Sequence, residues 1–325
     1  MESFKREMAE LEAELQAEAD TARVDVEALA ASGESMADMN LAGLDLSKLD
    51  LGRSDMSGVS AIGVNFSGSD LAGACLRNAD LTESNLEGAD LSGAILDGAD
   101  LTRAKLAGAK LTGASMIAAR LAGLELAGAD LSGCVASEAD FSGSNLAGAI
   151  LQGDFTEAGF ERCKLADAQM AGGVFARARF RGAVAPGIDC SDADLRGLQA
   201  DEGADFSGAR LTGADATNGI FDGSNMDGAD FTQAKLAGAQ LEGTFLRGAN
   251  FDRADLTGAM LDGANMQGAI ATNANFLRAS FEGTDVTRAT FEGSNLYEAG
   301  LWLAKPGQTV IRGANLKGTL WDGAK

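Results

Sequence analysis

Residues 78–101 read NADLTESNLEGADLSGAILDGADL, and the spacing of their leucines decides the architecture. Leu81, Leu86, Leu91, Leu96 and Leu101 recur every fifth residue, each with Ala or Ser two places before it. A helix repeats its faces every ~3.6 residues and a strand every 2, so a period of five fits neither. In extended backbone, positions i and i−2 share a face. Leu81 and Ala79 therefore point inward together, as do Leu86 and Ser84. On a straight strand an odd period would send Leu81 and Leu86 to opposite sides, so the chain must turn once in every repeat. Gly88, Gly93 and Gly98, at i+2, suit a tight or left-handed backbone position. Four quarter-turns close one coil, and residues 20 apart stack.

The same grammar, A(D/N)LxG, runs from Leu41 to Trp321. Of the 23 central positions from Leu41 to Leu151, 21 are Leu, Met or Phe, the exceptions being Ala61 and Ala136. Periodicity this dense predicts a stacked-repeat solenoid. It resembles the pentapeptide-repeat family, whose fold is a right-handed quadrilateral β-helix. The resemblance covers almost the whole chain beyond residue 40 and is specific for fold. It says little about function, because the repeat itself carries no chemistry. The expected fold is an all-β solenoid of about 14 coils with an N-terminal α-helix. At ~4.8 Å per coil the repeats would extend roughly 70 Å.

Composition narrows the possibilities. Histidine is absent, which removes the commonest general base and metal ligand. Aspartates recur because the repeat recurs, and no nucleophile has an identifiable base partner. No enzyme activity, cofactor, catalytic residue or metal site is expected. Cys134 and Cys163 fall at small i−2 positions, Cys190 at a central one and Cys75 at an outward i−1 position, with no CxxC pair. Buried free thiols in a reducing compartment are expected. There is no run of about 18 apolar residues, so no membrane insertion is expected. The first 30 residues hold nine acids and three bases, unlike a signal sequence. A bacterial cytoplasmic setting is the default, with secretion by a signal-less route left open.

Two domains are read: residues 1–33 as an amphipathic helix, and 34–325 as the repeat region. In the helix, Phe4, Met8, Leu11, Leu15, Ala19, Ala22, Val26 and Leu29 form an apolar stripe, and Ser32-Gly33 ends it. It either caps the first coil or docks a partner. The repeat changes phase twice, with a step of four from Leu151 to Phe155 and a step of six from Ala200 to Phe206. With Pro186 nearby, a bend, bulge or protruding loop is expected near 183–204. Inward Phe residues become frequent after 151, which implies a wider or more tightly filled lumen. Near the C-terminus, Pro306 falls where a Leu belongs. A loop and cap over 302–325, sealed by Tyr297, Trp302 and Trp321, is expected there.

Stacking by 20 makes ladders of outward side chains. One i−1 row reads Asp50, Asp70, Asp90, Lys110, Asp130, and another reads Asp80, Asp100, Arg120, Asp140. A third row is less charged, and Ile95 and Val135 in it, with Ile117 alongside, predict an exposed apolar strip. The N-terminal helix folding back, another protein or a second copy could cover it. Phe245 is also expected outward, and Trp302 and Trp321 form a possible aromatic contact surface. Arg177, Arg179 and Arg181 either pair with neighbouring acids or form an anion or partner contact.

Two functions follow. The favoured one is a non-catalytic protein-interaction scaffold, an acidic rod that binds a protein partner such as a component or effector of a bacterial secretion machine. A homodimer is a further possibility. The alternative, implied by the family resemblance, is a DNA mimic that binds a type II topoisomerase such as DNA gyrase. The net charge of −22 fits in sign and disfavours direct nucleic-acid binding. Without the helix, it amounts to one net charge per about 4 Å, against about 1.7 Å in B-DNA.

Overall fold

A computed structural model describes residues 2–323. It divides into two compact units, Met1–Glu125 and Leu126–Lys325.

The first unit opens with helix α1 (Glu2–Ser32). Gly33 ends it at φ 73°, with Gly33 N donating to Ala30 O and Glu34 N to Leu29 O. That pair of bonds satisfies the last helical carbonyls, and the left-handed residue between them favours glycine. Among the described side chains, burial of the stripe falls in the C-terminal half of α1. Val26 is buried, and Ala19, Ala22 and Leu29 are half-buried, whereas Met8 and Leu11 are exposed. Phe4 and Leu15 lie outside the described side chains. Arg23 Nη1 and Nη2 donate to Asp45 O and Ser47 O at 2.5 and 2.9 Å. The packed half of the helix thus lies against the first coil.

From Met36 onward, the repeats share one form except at two phase changes. Leu81 N donates to Asp100 O, Asp80 N to Val59 O, and Ser84 N closes the turn onto Leu81 O. Parallel bridges join residues 20 apart in four rows, one of which runs Asn40, Ser60, Asp80, Asp100, Arg120. The backbone is thereby satisfied between coils. The lumen takes the apolar side chains: Leu81, Leu86, Leu91 and Leu96 are all fully buried, with Ala79, Ser84, Ala89 and Ala94 beside them. Four sides, each presenting one large and one small residue inward, make a quadrilateral coil.

The second unit carries the same coil through both phase changes. At the first, Gly153 N donates to Leu151 O, a three-residue turn that removes one residue. Bridges from Val135–Asp154 to Ile150–Gln169 accordingly span 19 residues. At the second, one extra residue is absorbed near Asp201, and the bridges from Val184–Asp205 to Gln199–Ile220 span 21. The deletion and the insertion cancel, so the rows resume their original phase. Residues 183–204 hold a one-residue bulge and no protruding loop. Pro186 sits at i+1, where the absent N–H would have sought an Asx side chain, and Val184 occupies that i−1 position.

The C-terminal segment likewise differs from expectation. Bridges Asp285–Lys305, Thr290–Val310 and Asn295–Asn315 continue the coil across 302–315 without a loop. Trp321 is half-buried at a central position, but Trp302 is 59% exposed and seals nothing.

Phenylalanine fills the lumen by stacking along it. Phe155 lies 5.1 Å from Phe175 and Phe160 lies 4.7 Å from Phe180, both near parallel. Three of the phenylalanines have glycine at i−2. A Cβ on Gly153, Gly173 or Gly219 would come within 3.2, 2.7 or 2.6 Å of the ring of Phe155, Phe175 or Phe221. Interior volume is balanced locally, because close-packed interiors tolerate neither gaps nor overlaps.

Candidate interaction surfaces

The recurrent i−1 Asp or Asn has a structural task before any other. Its side-chain oxygen accepts the backbone N–H two residues on, at 3.0 Å from Thr82 to Asp80, 3.0 Å from Ser92 to Asp90 and 2.9 Å from Thr102 to Asp100. Asp50, Asp70, Asp130 and Asp140 accept from Gly52, Ala72, Ser132 and Ser142 in the same way. These Asx turns satisfy a donor that the quarter-turn would otherwise strand. Asparagine does the same and adds a link between coils: Asn275 Nδ2 donates to Asp255, Asn295 to Asn275 and Asn315 to Asn295, at 2.9 to 3.0 Å.

The acidic ladders are also partly neutralised. Lys110 Nζ lies 2.9 Å from Asp90, and Arg120 lies 3.4 Å from Asp100. Hydrogen bonds from Ser92 and Lys110 pull the Asp90 carboxyl down to about 2. Within the first unit both rows carry a base, at Lys110 and Arg120. In the second unit Asp130 and Asp140 are bridged to Ile150 and Gly159.

The arginine cluster resolves into ion pairs. Arg177 meets Glu157 at 2.6 Å, Arg179 meets Glu161 at 2.6 Å, and Arg181 lies 3.2 Å from Asp201. Arg177 and Glu157 stand at i+2, where non-glycine residues hold φ near +60°, as Glu83 and Arg103 do at 3.0 Å from each other.

The expected apolar strip is only partly present. Ile117 is 40% exposed, but Ile95 is half-buried between Cys75 and Ser115, its neighbours in the bridged row. Val135 is exposed in the second unit, in a row with Asp154 and Val174. Phe245 is 48% exposed between Asn225 and Asn265.

The i+1 position was overlooked in the sequence. At four repeats whose i−1 residue is neither Asp nor Asn, the i+1 N–H instead meets a carboxylate on the previous coil: Ile117 N donates to Asp97, Glu242 N to Asp222, Arg247 N to Asp227 and Glu282 N to Asp262, at 2.8 to 3.1 Å. The i−1 residues concerned are Ser115, Gln240, Phe245 and Ser280. Uncharged rungs thus appear where the Asx bond has been replaced. One signal was available. Every twentieth residue from Asp222 reads Asp222, Glu242, Asp262, Glu282.

No group of three metal-ligating side chains stands together among the described residues. Of those residues, no helix is long and apolar enough to cross a membrane.

A model of pentapeptide repeats matches eight copies over residues 40–82, 74–113, 114–153, 202–233, 234–270 and 261–297, well over half of the chain. The chain belongs to the pentapeptide-repeat family. With that membership comes the right-handed β-helix as its fold. Residues 154–201, the stretch between the two phase changes, lie outside those ranges. HetL, a pentapeptide repeat protein involved in heterocyst differentiation regulation from the cyanobacterium Nostoc sp. strain PCC 7120, is 24% identical, covering 87% of this chain and 89% of that one at a TM-score of 0.20. Rfr23 from the cyanobacterium Cyanothece 51142 is 30% identical over 32% of this chain and 64% of its own, with a TM-score of 0.15. QnrB1, a plasmid-mediated fluoroquinolone resistance protein, is 19% identical over 64% and 84%, with a TM-score of 0.21. No curated protein matches the chain.

Proposed function

We propose that this pentapeptide-repeat protein is a non-catalytic scaffold that binds a protein partner through its outward rows, in a bacterial cytoplasmic setting. The observation that carries this reading is the placement of large apolar side chains at outward positions of a hydrogen-bonded ladder. Ile117, Val135, Val184, Phe245, Ile270 and Trp302 are all exposed where the repeat otherwise places polar residues. Exposed apolar side chains on a rigid surface favour protein contact. Parallel bridges hold the backbone beneath them, so little ordering entropy is lost on binding.

Affinity purification from the native cell tests this. A defined protein should be enriched over a charge-matched control, and its recovery should fall with Phe245→Asp or Trp302→Ala. If no protein is enriched, or both variants recover it undiminished, the reading fails. The DNA-mimic alternative needs unneutralised carboxylates on several rows at once, whereas bases sit on Asp90 and Asp100 in the first unit and on Asp189, Asp194, Asp215 and Asp227 in the second. Supercoiling by DNA gyrase should be unaffected by low-micromolar protein, and inhibition there would favour the alternative.

A further inference from the structure

One face of the second unit separates apolar surface from charge more sharply than its neighbours. Beyond Arg179 its bridged row runs Gln199, Ile220, Gln240, Met260, Ser280, Gly300, without a charged residue in that stretch. Ile220, Gln240, Met260 and Ser280 are half-buried. Alongside, at i+1, stand Asp222, Glu242, Asp262 and Glu282, one per coil, all half or fully exposed. No ion pair joins any of the four to a base among the described residues. Elsewhere in this unit bases sit on acids: Arg196 on Asp194, Arg210 on Asp189, Lys235 on Asp215 and Arg247 on Asp227. The same i+1 column ends in Trp302, its carbonyl accepting from Gly283 N at 2.9 Å, with Leu303 exposed beside it. An exposed Trp at the end of such a row is an independent sign of contact, because Trp dominates binding hot spots.

We propose that this face docks a basic amphipathic helix of a partner protein, lying along the stacking direction. The inference rests on the scaffold reading and names its partner chemistry. Aliphatic side chains of that helix would cover Ile220 and Met260, its Lys or Arg residues would face Asp222 to Glu282, and its end would meet Trp302. Spacing selects a helix over an extended segment. The carboxylates recur at the coil repeat of about 4.8 Å, and one helical turn rises about 5.4 Å. Three intervals then differ by roughly 2 Å, within the reach of a flexible Lys side chain. Alternate residues of a strand, roughly 6.7 Å apart, differ by roughly 6 Å over the same three intervals, beyond that reach. A second copy is the weaker occupant, because this chain carries −22 overall and its helix α1 is itself acidic.

The probe is a labelled 20-residue helical peptide with adjacent Lys and Leu stripes, beside a scrambled peptide of equal composition. Anisotropy with the full chain reads affinity, and emission from Trp302 in a Trp321→Phe background reads location. The amphipathic peptide should bind and shift the Trp302 emission, and the scrambled one should not. Glu242→Lys with Glu282→Lys should weaken binding about tenfold or more, because close charge pairs become repulsive. Glu34→Lys with Glu87→Lys, an equal change of net charge in the first unit, should leave affinity nearly unchanged. The proposal is overturned if neither peptide binds, if both bind alike, or if the two charge-reversal pairs act equally. A native partner still captured by Glu242→Lys with Glu282→Lys would discard this face and leave the scaffold reading intact.

Discussion

Glycine does two different jobs here, and substitution separates them. Gly88 holds φ 65° with nothing within 4 Å of the point where a Cβ would stand, so Gly88→Ala should lose only the left-handed preference, about 1 kcal/mol. Gly153 has an ordinary φ, but its Cβ would meet Cys134 O at 2.4 Å. Backbone cannot step aside as a side chain does, so Gly153→Ala should lose roughly 3 kcal/mol. Denaturant melts of the two variants check the order, and equal losses would contradict it. Buried hydroxyls make a second contrast. Ser69 Oγ donates to Leu46 O at 2.7 Å and accepts from Leu49 N, whereas Ser84 Oγ is buried without a partner. Ser69→Ala should destabilise by about 1–2 kcal/mol, and Ser84→Ala should be neutral or slightly stabilising. Asp90 supplies the pH dependence. Its folded carboxyl lies at about 2, below the roughly 3.9 of an unfolded Asp. A depressed value stabilises the fold above the unfolded pKa, and that stability is lost as pH falls through the folded value. Thermal stability should therefore decline between about pH 4 and pH 2, and carboxyl NMR should find Asp90 titrating at the low end.

Among its described side chains, helix α1 is buried toward its C-terminal end. The apolar stripe runs along its length, yet contact begins at Ala19 and is complete at Val26. The reason is geometric: a 31-residue helix spans about 46 Å, far more than the side of one coil. The helix protects the first coil, whose edge would otherwise present unpaired backbone. Val26→Asp should release it, and hydrogen exchange at Met36, Leu41 and Leu46 should quicken. Met8→Asp, at an exposed position, should change stability by under about 0.5 kcal/mol and leave that exchange alone. If Met8→Asp disturbs the first coil as much as Val26→Asp does, the packed half has been misassigned.

Across the whole chain, four free cysteines report on the interior. Cys134, Cys163 and Cys190 are buried and Cys75 is half-buried. Burial pushes the Cys163 thiol up to about 12 and raises that of Cys190 as well. Only the thiolate reacts, so native protein should label quickly at one thiol and at all four in denaturant. Rapid labelling of more than one native thiol would mean that the lumen opens readily. The rows matter for binding because each coil repeats the same backbone frame and leaves only its outward letters free to vary. Salt bridges across those rows are exposed and individually worth little, so their removal should affect partner choice more than stability.

A period of five, with one bulky and one small residue in each repeat, was enough to specify coil, lumen and stacking distance, because no other backbone arrangement buries Leu81, Leu86, Leu91 and Leu96 together. Both phase changes were visible as spacing. What they would do was not, since absorbing a residue depends on whether a turn such as Gly153 N to Leu151 O can close, and that is a matter of three-dimensional fit. The aspartate rows were legible as letters but misleading as charges: whether a carboxylate is displayed or consumed depends on the N–H and the base that neighbouring coils bring to it. For the same reason Ile95 proved half-covered, Arg177 to Arg181 proved paired, and Asp222 to Glu282 went unnoticed. Inward positions answer to local spacing, and outward ones answer to neighbours 20 residues away.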